Sequence, residues 1–227
     1  MMRYKHYSPH SKMADLVCDH YSILLLINRF GISLGMGEKT IKEICDEHDV
    51  DVDTFLYIVH FLLFDVMPDD ENKPELSIPQ IITFLRNSHS YFLDFRLPEI
   101  RCNMNEAIED APEDIQFVIG KYFDEYSEEV HQHMKYEDQV VFPYVDGLLN
   151  GVKDKDYSIE TFQKRHDQVE LKMVELKSIF IKYYANSGNK VNNMLHELFT
   201  CSEELLNHNS VEDYIFIPCV KELERRL

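Results

Sequence analysis

His133 to Pro143 reads HMKYEDQVVFP, and His208 to Pro218 reads HNSVEDYIFIP. In each copy a His is followed four residues later by Glu, at once by Asp, and then by an apolar run with a Pro ten positions after the His. On an α-helix residues four apart share a face, with Cβ atoms roughly 5–6 Å apart. Each copy therefore aims one imidazole and one carboxylate at a common point. A single pair of this kind is ordinarily a surface contact worth a few tenths of a kcal/mol. A duplicated pair with matching Asp and Pro offers nitrogen and oxygen donors twice, as a pair of metal ions requires. The chain must then fold so that two such helices meet.

Composition agrees with a helical solution. Only 7 Gly and 8 Pro occur in 227 residues, too few for the turns of a sandwich or barrel, and 44% hydrophobic content is ample for a core. The formal charge of −18 argues against nucleic acid as a partner, because binding phosphates needs a basic face. It equally disfavours an anionic membrane surface and is consistent with solubility. Cys18, Cys45, Cys102, Cys201 and Cys219 are scattered, odd in number and never spaced as CxxC. Such cysteines read as reduced thiols in a cytoplasmic protein. Ser22 to Ile27 is too short an apolar run for a signal-peptide core or a membrane span.

Along the chain, helical spacing predicts one helix from Lys12 to Phe30, stopped at Gly31. A glycine-rich loop follows to Thr40, which with Glu43 forms a capping box for a helix over Ile41 to Glu47. A third helix opens after Asp51. These form a small helical N-terminal module, residues 1–64. DVMPDDENKPELS, residues 65–77, is an acidic linker. Residues 78–227 hold four long amphipathic helices. The first runs from Ile78 to Ala107, kinked or interrupted at Pro98. The second runs from Pro112 to about Phe142 or Val145, the third from Ile159 to about Ala185, and the fourth from Lys190 to about Glu212, beyond which Pro218 must be accommodated before Lys221 to Leu227 turns helical again. The class is all-α, an up-down four-helix bundle behind a small helical module.

The first and third long helices each contribute one further candidate, His89 and His166. His89 to His133 spans 44 residues and His166 to His208 spans 42, so the bundle is an internal repeat of two hairpins. Each hairpin carries His on its first helix and HxxxE on its second. The candidate ligands are His89, His133, Glu137, His166, His208 and Glu212. Four imidazoles and two carboxylates without a thiolate point towards iron or manganese and away from structural zinc. Two symmetric carboxylates suit bridging, and an octahedral ion would keep about two positions open. His131 and His196 fall off the ligand stripes, by helical geometry. His6, His10, His20, His48 and His60 have no such support.

On these residues the chain resembles a hemerythrin-type domain, and more closely the two-domain bacterial repair-of-iron-centres family of iron–sulfur cluster repair di-iron proteins. The resemblance rests on His89, His133-x-x-x-Glu137 with Pro143, His166, and His208-x-x-x-Glu212 with Pro218. In the N-terminal module, FGISLGMGEKTIKEIC is similar to a segment that in the family carries adjacent cysteines. Here those positions are Gly35 and Met36, while Cys45 matches a later cysteine. The resemblance implies two iron ions in an oxo- or hydroxo-bridged non-haem centre. It also implies a cytoplasmic protein of nitrosative and oxidative stress, monomer or homodimer, that handles nitric oxide or dioxygen and acts on damaged iron–sulfur proteins. A binding or sensing module without catalysis is the alternative. The missing cysteine pair puts a thiol-based step of the N-terminal module in doubt and leaves the di-iron assignment intact.

Overall fold

The computed structural model describes residues 6–64, 74–163, 170–184 and 188–227. Among these the chain is helical, with no strand and an isolated bridge between Lys12 and Thr40. Contacts divide it into two compact units, Met1–Ser88 and His89–Leu227.

In the first unit, α1 (Met13–Asp19) and α2 (Ile23–Arg29) replace the single helix expected over Lys12 to Phe30. The break follows from side chains. Tyr7 donates to Asp19 (2.7 Å), and His20 lies edge-on to both Tyr7 and Phe64. His20 adopts φ −139°, outside the helical region. α2 ends in a Schellman motif: Ile32 N–H bonds Ile27 O and Gly31 N–H bonds Asn28 O. That geometry needs the positive φ of Gly31, 74°. Thr40 and Glu43 form the expected reciprocal capping box on α3 (Ile41–Glu47). Asp51 caps α4 (Val52–Phe64) by accepting from Thr54 N–H at 2.8 Å. α4 is buried on most of its circumference and forms the centre of this unit.

The chain after the expected linker belongs by contact to this first unit as far as Ser88. Ser77 N–H bonds the Thr54 hydroxyl, Asn87 bonds Arg29 O, and Phe84 packs on Phe30. Residues 65–73 of that linker lie outside the described residues.

The second unit is the bundle. It begins at His89, in the last turn of α5 (Ile78–Ser90), which continues through a π turn, Tyr91–Arg96, into α6 (Leu97–Ala107). α7 (Glu113–Tyr136) passes through a π turn, Glu137–Val141, into α8 (Phe142–Leu149). α9 (Ile159–Gln163) and α10 (Glu170–Tyr183) follow. α11 (Asn189–Val211) passes through a third π turn, Glu212–Phe216, into α12 (Ile217–Arg226). α6 packs on α7, α7 on α10, α10 on α11 and α11 back on α6, a closed up-down ring. Its core includes Ile100, Met104, Phe123, Met173, Leu176, Phe180, Met194 and Leu198.

The π turns correct two expectations. The helix from Ile78 passes Pro98 without a break and reaches Ala107, and the helical stretch expected again from Lys221 joins the fourth helix through the turn before Pro218. Proline lacks an N–H and its ring collides with the carbonyl four residues back. In all three turns the residue just before the proline donates five residues back instead: Leu97 to Phe92, Phe142 to Glu137, Ile217 to Glu212. The widened turn absorbs the proline without breaking the helix, and such turns recur at functional sites.

Candidate metal centre

The buried positions of α11 and its continuation run Val191, Met194, Leu198, Cys201, Leu205, His208, Glu212, Ile215. Spacings of three and four make this the core stripe of the helix. On α7 the stripe runs Ile119, Phe123, Tyr126, Val130, Met134, Glu137, Val141. Both glutamates therefore stand where apolar side chains belong. Glu137 and Glu212 are 0% exposed, His208 1% and His89 2%. An ionised carboxylate removed from water costs several kcal/mol unless it is paired. The ion pairs of Glu137 are with His89 and His133.

One ligand atom from each of His89, Glu137, His208 and Glu212 can be chosen so that all four lie within 4.8 Å of one another. His89 Nε2 is 2.8 Å from Glu137 Oε2, His133 Nε2 is 2.8 Å from Glu137 Oε1, and His208 Nε2 is 3.3 Å from Glu212 Oε1. For ligands about 2.1 Å from an octahedral ion, neighbouring donors stand about 3.0 Å apart. The observed separations bracket that edge. Although these atoms are close, both His89 nitrogens, both His208 nitrogens and both Glu137 oxygens lack a partner in hydrogen-bond geometry among the described residues. Buried donors and acceptors left in this state cost free energy that a bound cation recovers. The donor set thus fits a divalent metal ion.

The two oxygens of Glu137 face different histidines from different helices. His89 comes from the end of α5 and His133 from the last turn of α7. Aromatic rings wall the site. Phe142 stacks on His89 at 5.6 Å, Phe162 stacks on His133 at 6.4 Å, and Phe92 meets His208 edge-on. These rings exclude water and lower the local dielectric.

Of the six candidates, the four above converge, and His133 reaches the group through Glu137. His166 lies outside the described residues. His131 and His196 are exposed. Sequence reasoning marks the Asp after each Glu as part of the repeat but gives it no role. In the structure Asp138 Oδ1 stands 3.1 Å from His89 Nδ1. The matching Asp in both copies was the available signal.

The family model described as the Hemerythrin HHE cation binding domain matches residues 80–220. The chain belongs to the hemerythrin family. No curated protein matches it. The hemerythrin domain covers both HxxxE copies and His89, so cation binding by the family and the four-residue group concern the same part of the chain. No helix among the described residues is long and apolar enough to cross a membrane.

The hemerythrin site also carries a pH dependence. Burial alone lowers His89, but the Asp138 and Glu137 carboxylates, helped by Glu212, outweigh it and push the imidazole up to about 9. Burial lowers His208 despite Glu212. In the metal-free protein, His89 contributes stability that is fully present below its ordinary value of 6.5 and is lost as pH rises through about 9. His208 acts oppositely: its fold prefers the neutral ring, so stability falls as pH drops through 6.5. A metal ion ligated by His89 would have to displace the proton of that ring. Ferrous ion added at about pH 7.5 should release about one proton for this residue, read as a dependence of the calorimetric heat on buffer ionisation enthalpy. A heat independent of buffer would show that His89 does not ligate.

Proposed function

We propose that residues 78–227 form a non-haem di-iron domain that binds a diatomic molecule, nitric oxide or dioxygen, and serves in the nitrosative and oxidative stress response by supporting repair of iron–sulfur clusters. The observation that carries the di-iron reading is the division of Glu137 between His89 and His133. A carboxylate whose two oxygens meet ligands from two helices suits a bridge between two ions. His89, His208, Glu137 and Glu212 would hold one ion. His133, with Glu137 and Glu212, would hold the second, together with His166 by analogy with the internal repeat. Two iron ions would supply reversible one-electron chemistry and coordination positions open to a small ligand. The protein's own part is to hold the ligands before metal arrives, neutralise charge with two buried carboxylates, and keep bulk water out with Phe92, Phe142 and Phe162. The repair role rests on the resemblance of nearly the whole chain, the cysteine pair excepted, to the repair-of-iron-centres family.

Anaerobic addition of nitric oxide to the reduced, iron-loaded protein tests the reading. The expected result is a stoichiometric iron–nitrosyl absorption spectrum, with a damaged cluster enzyme regaining activity when the protein is supplied. No spectral change with nitric oxide or dioxygen would contradict ligand binding. Ligand binding without any cluster rescue would favour the second reading, a sensing module, which the loss of the cysteine pair at Gly35 and Met36 independently favours.

A further inference from the structure

Glu137 and Asp138 are consecutive, yet both reach the same imidazole of a neighbouring helix. Glu137 Oε2 lies 2.8 Å from His89 Nε2 and Asp138 Oδ1 lies 3.1 Å from His89 Nδ1. The two residues open the π turn Glu137–Val141, and the ring between them is 3% exposed. On its remaining side Phe142, from the end of the same π turn, stacks parallel to it at an interplanar angle of 16°. One short segment thus touches the imidazole at both nitrogens and on a face. Asp138 itself is 39% exposed, so its carboxylate stays hydrated on the outer side.

We infer that Asp138 is a positioning residue that accepts a hydrogen bond from His89 Nδ1–H, fixing the tautomer in which Nε2 presents its lone pair to the metal. The inference rests on the proposed metal site and extends it outward from the ligands. An imidazole whose second nitrogen donates to a carboxylate is held in orientation and is a more basic ligand, and removing such a partner lowers metal affinity by about 10–100-fold. Asp138 Oδ1 is 3.1 Å from Nδ1 but outside hydrogen-bond geometry, and hydrogen bonds at functional sites commonly tighten when the site is loaded.

The test compares Asp138→Ala and Asp138→Asn with the wild type. Ferrous affinity by chelator competition should fall about 10–100-fold in Asp138→Ala. In Asp138→Asn, whose amide oxygen still accepts, the loss should be smaller, and helical content should be unchanged in both. Nitrogen-15 spectra of the metal-free ring at about pH 10, above the raised value for His89, should show the Nδ1–H tautomer in the wild type and a mixture in Asp138→Ala. An unchanged affinity and tautomer in Asp138→Ala would overturn the inference. If the wild type binds no iron, the metal reading fails, and the tautomer measurement on the metal-free protein still decides the role of Asp138.

Discussion

Replacing Glu137 with Gln is expected to take bound iron from about two ions per chain to near none, while His133→Ala retains about one. The asymmetry follows from where the oxygens point. Glu137 Oε2 faces His89 and Oε1 faces His133, so on the proposed di-iron reading the carboxylate serves both ions. An amide of the same shape keeps the packing at this fully buried position but cannot supply an anion to each ion. On that proposal His133 serves one ion only. Its loss leaves His89, His208, Glu212 and the other Glu137 oxygen, the group already gathered within 4.8 Å. Iron assay after anaerobic reconstitution, with circular dichroism to confirm the helices, separates the cases. Equal losses in the two variants would contradict a bridging role for Glu137.

Stripping the metal with a chelator is expected to lower the melting temperature of the bundle by on the order of 10 °C. Ligand present at about a thousand times its dissociation constant stabilises a fold by about 4 kcal/mol, and each kcal/mol moves a domain of this size by roughly 2–4 °C. The structural reason is specific. Without a cation the core holds two fully buried glutamates, and His89 and His208 lack partners in hydrogen-bond geometry. A bundle of this length with apolar residues at Glu137 and Glu212 would have no such dependence. Differential scanning calorimetry with and without metal, with readdition restoring the transition, measures the effect. Identical melting in both states would show that these groups are satisfied by some other means.

Much of this was legible in the sequence for reasons that can be named. The repeat of His, Glu, Asp and Pro at fixed offsets singled out two helices, and spacing alone matched His89 and His166 to them. The four of these residues that the structure gathers, His89, Glu137, His208 and Glu212, stand on ordinary core stripes, which helical periodicity reads well. Gly31 and the Thr40–Glu43 pair announced their caps because those motifs are local.

What escaped was non-local or non-α. Pro98 read as a kink or interruption because the rule assumes an α-turn, whereas a π turn removes the clash, as it does before Pro218. The break at His20 depends on Tyr7 and Phe64, a tertiary contact no window of residues contains. Asp138 was visible as a repeated residue, but its place beside His89 depends on the π turn and a neighbouring helix.

Iron stoichiometry of the reconstituted wild-type protein tests the central claim most directly. Two ions per chain, with an absorption spectrum that changes on exposure to nitric oxide or dioxygen, is the predicted result. One ion per chain, held by His89, Glu137, His208 and Glu212 alone, would contradict the di-iron centre, and none would contradict the site.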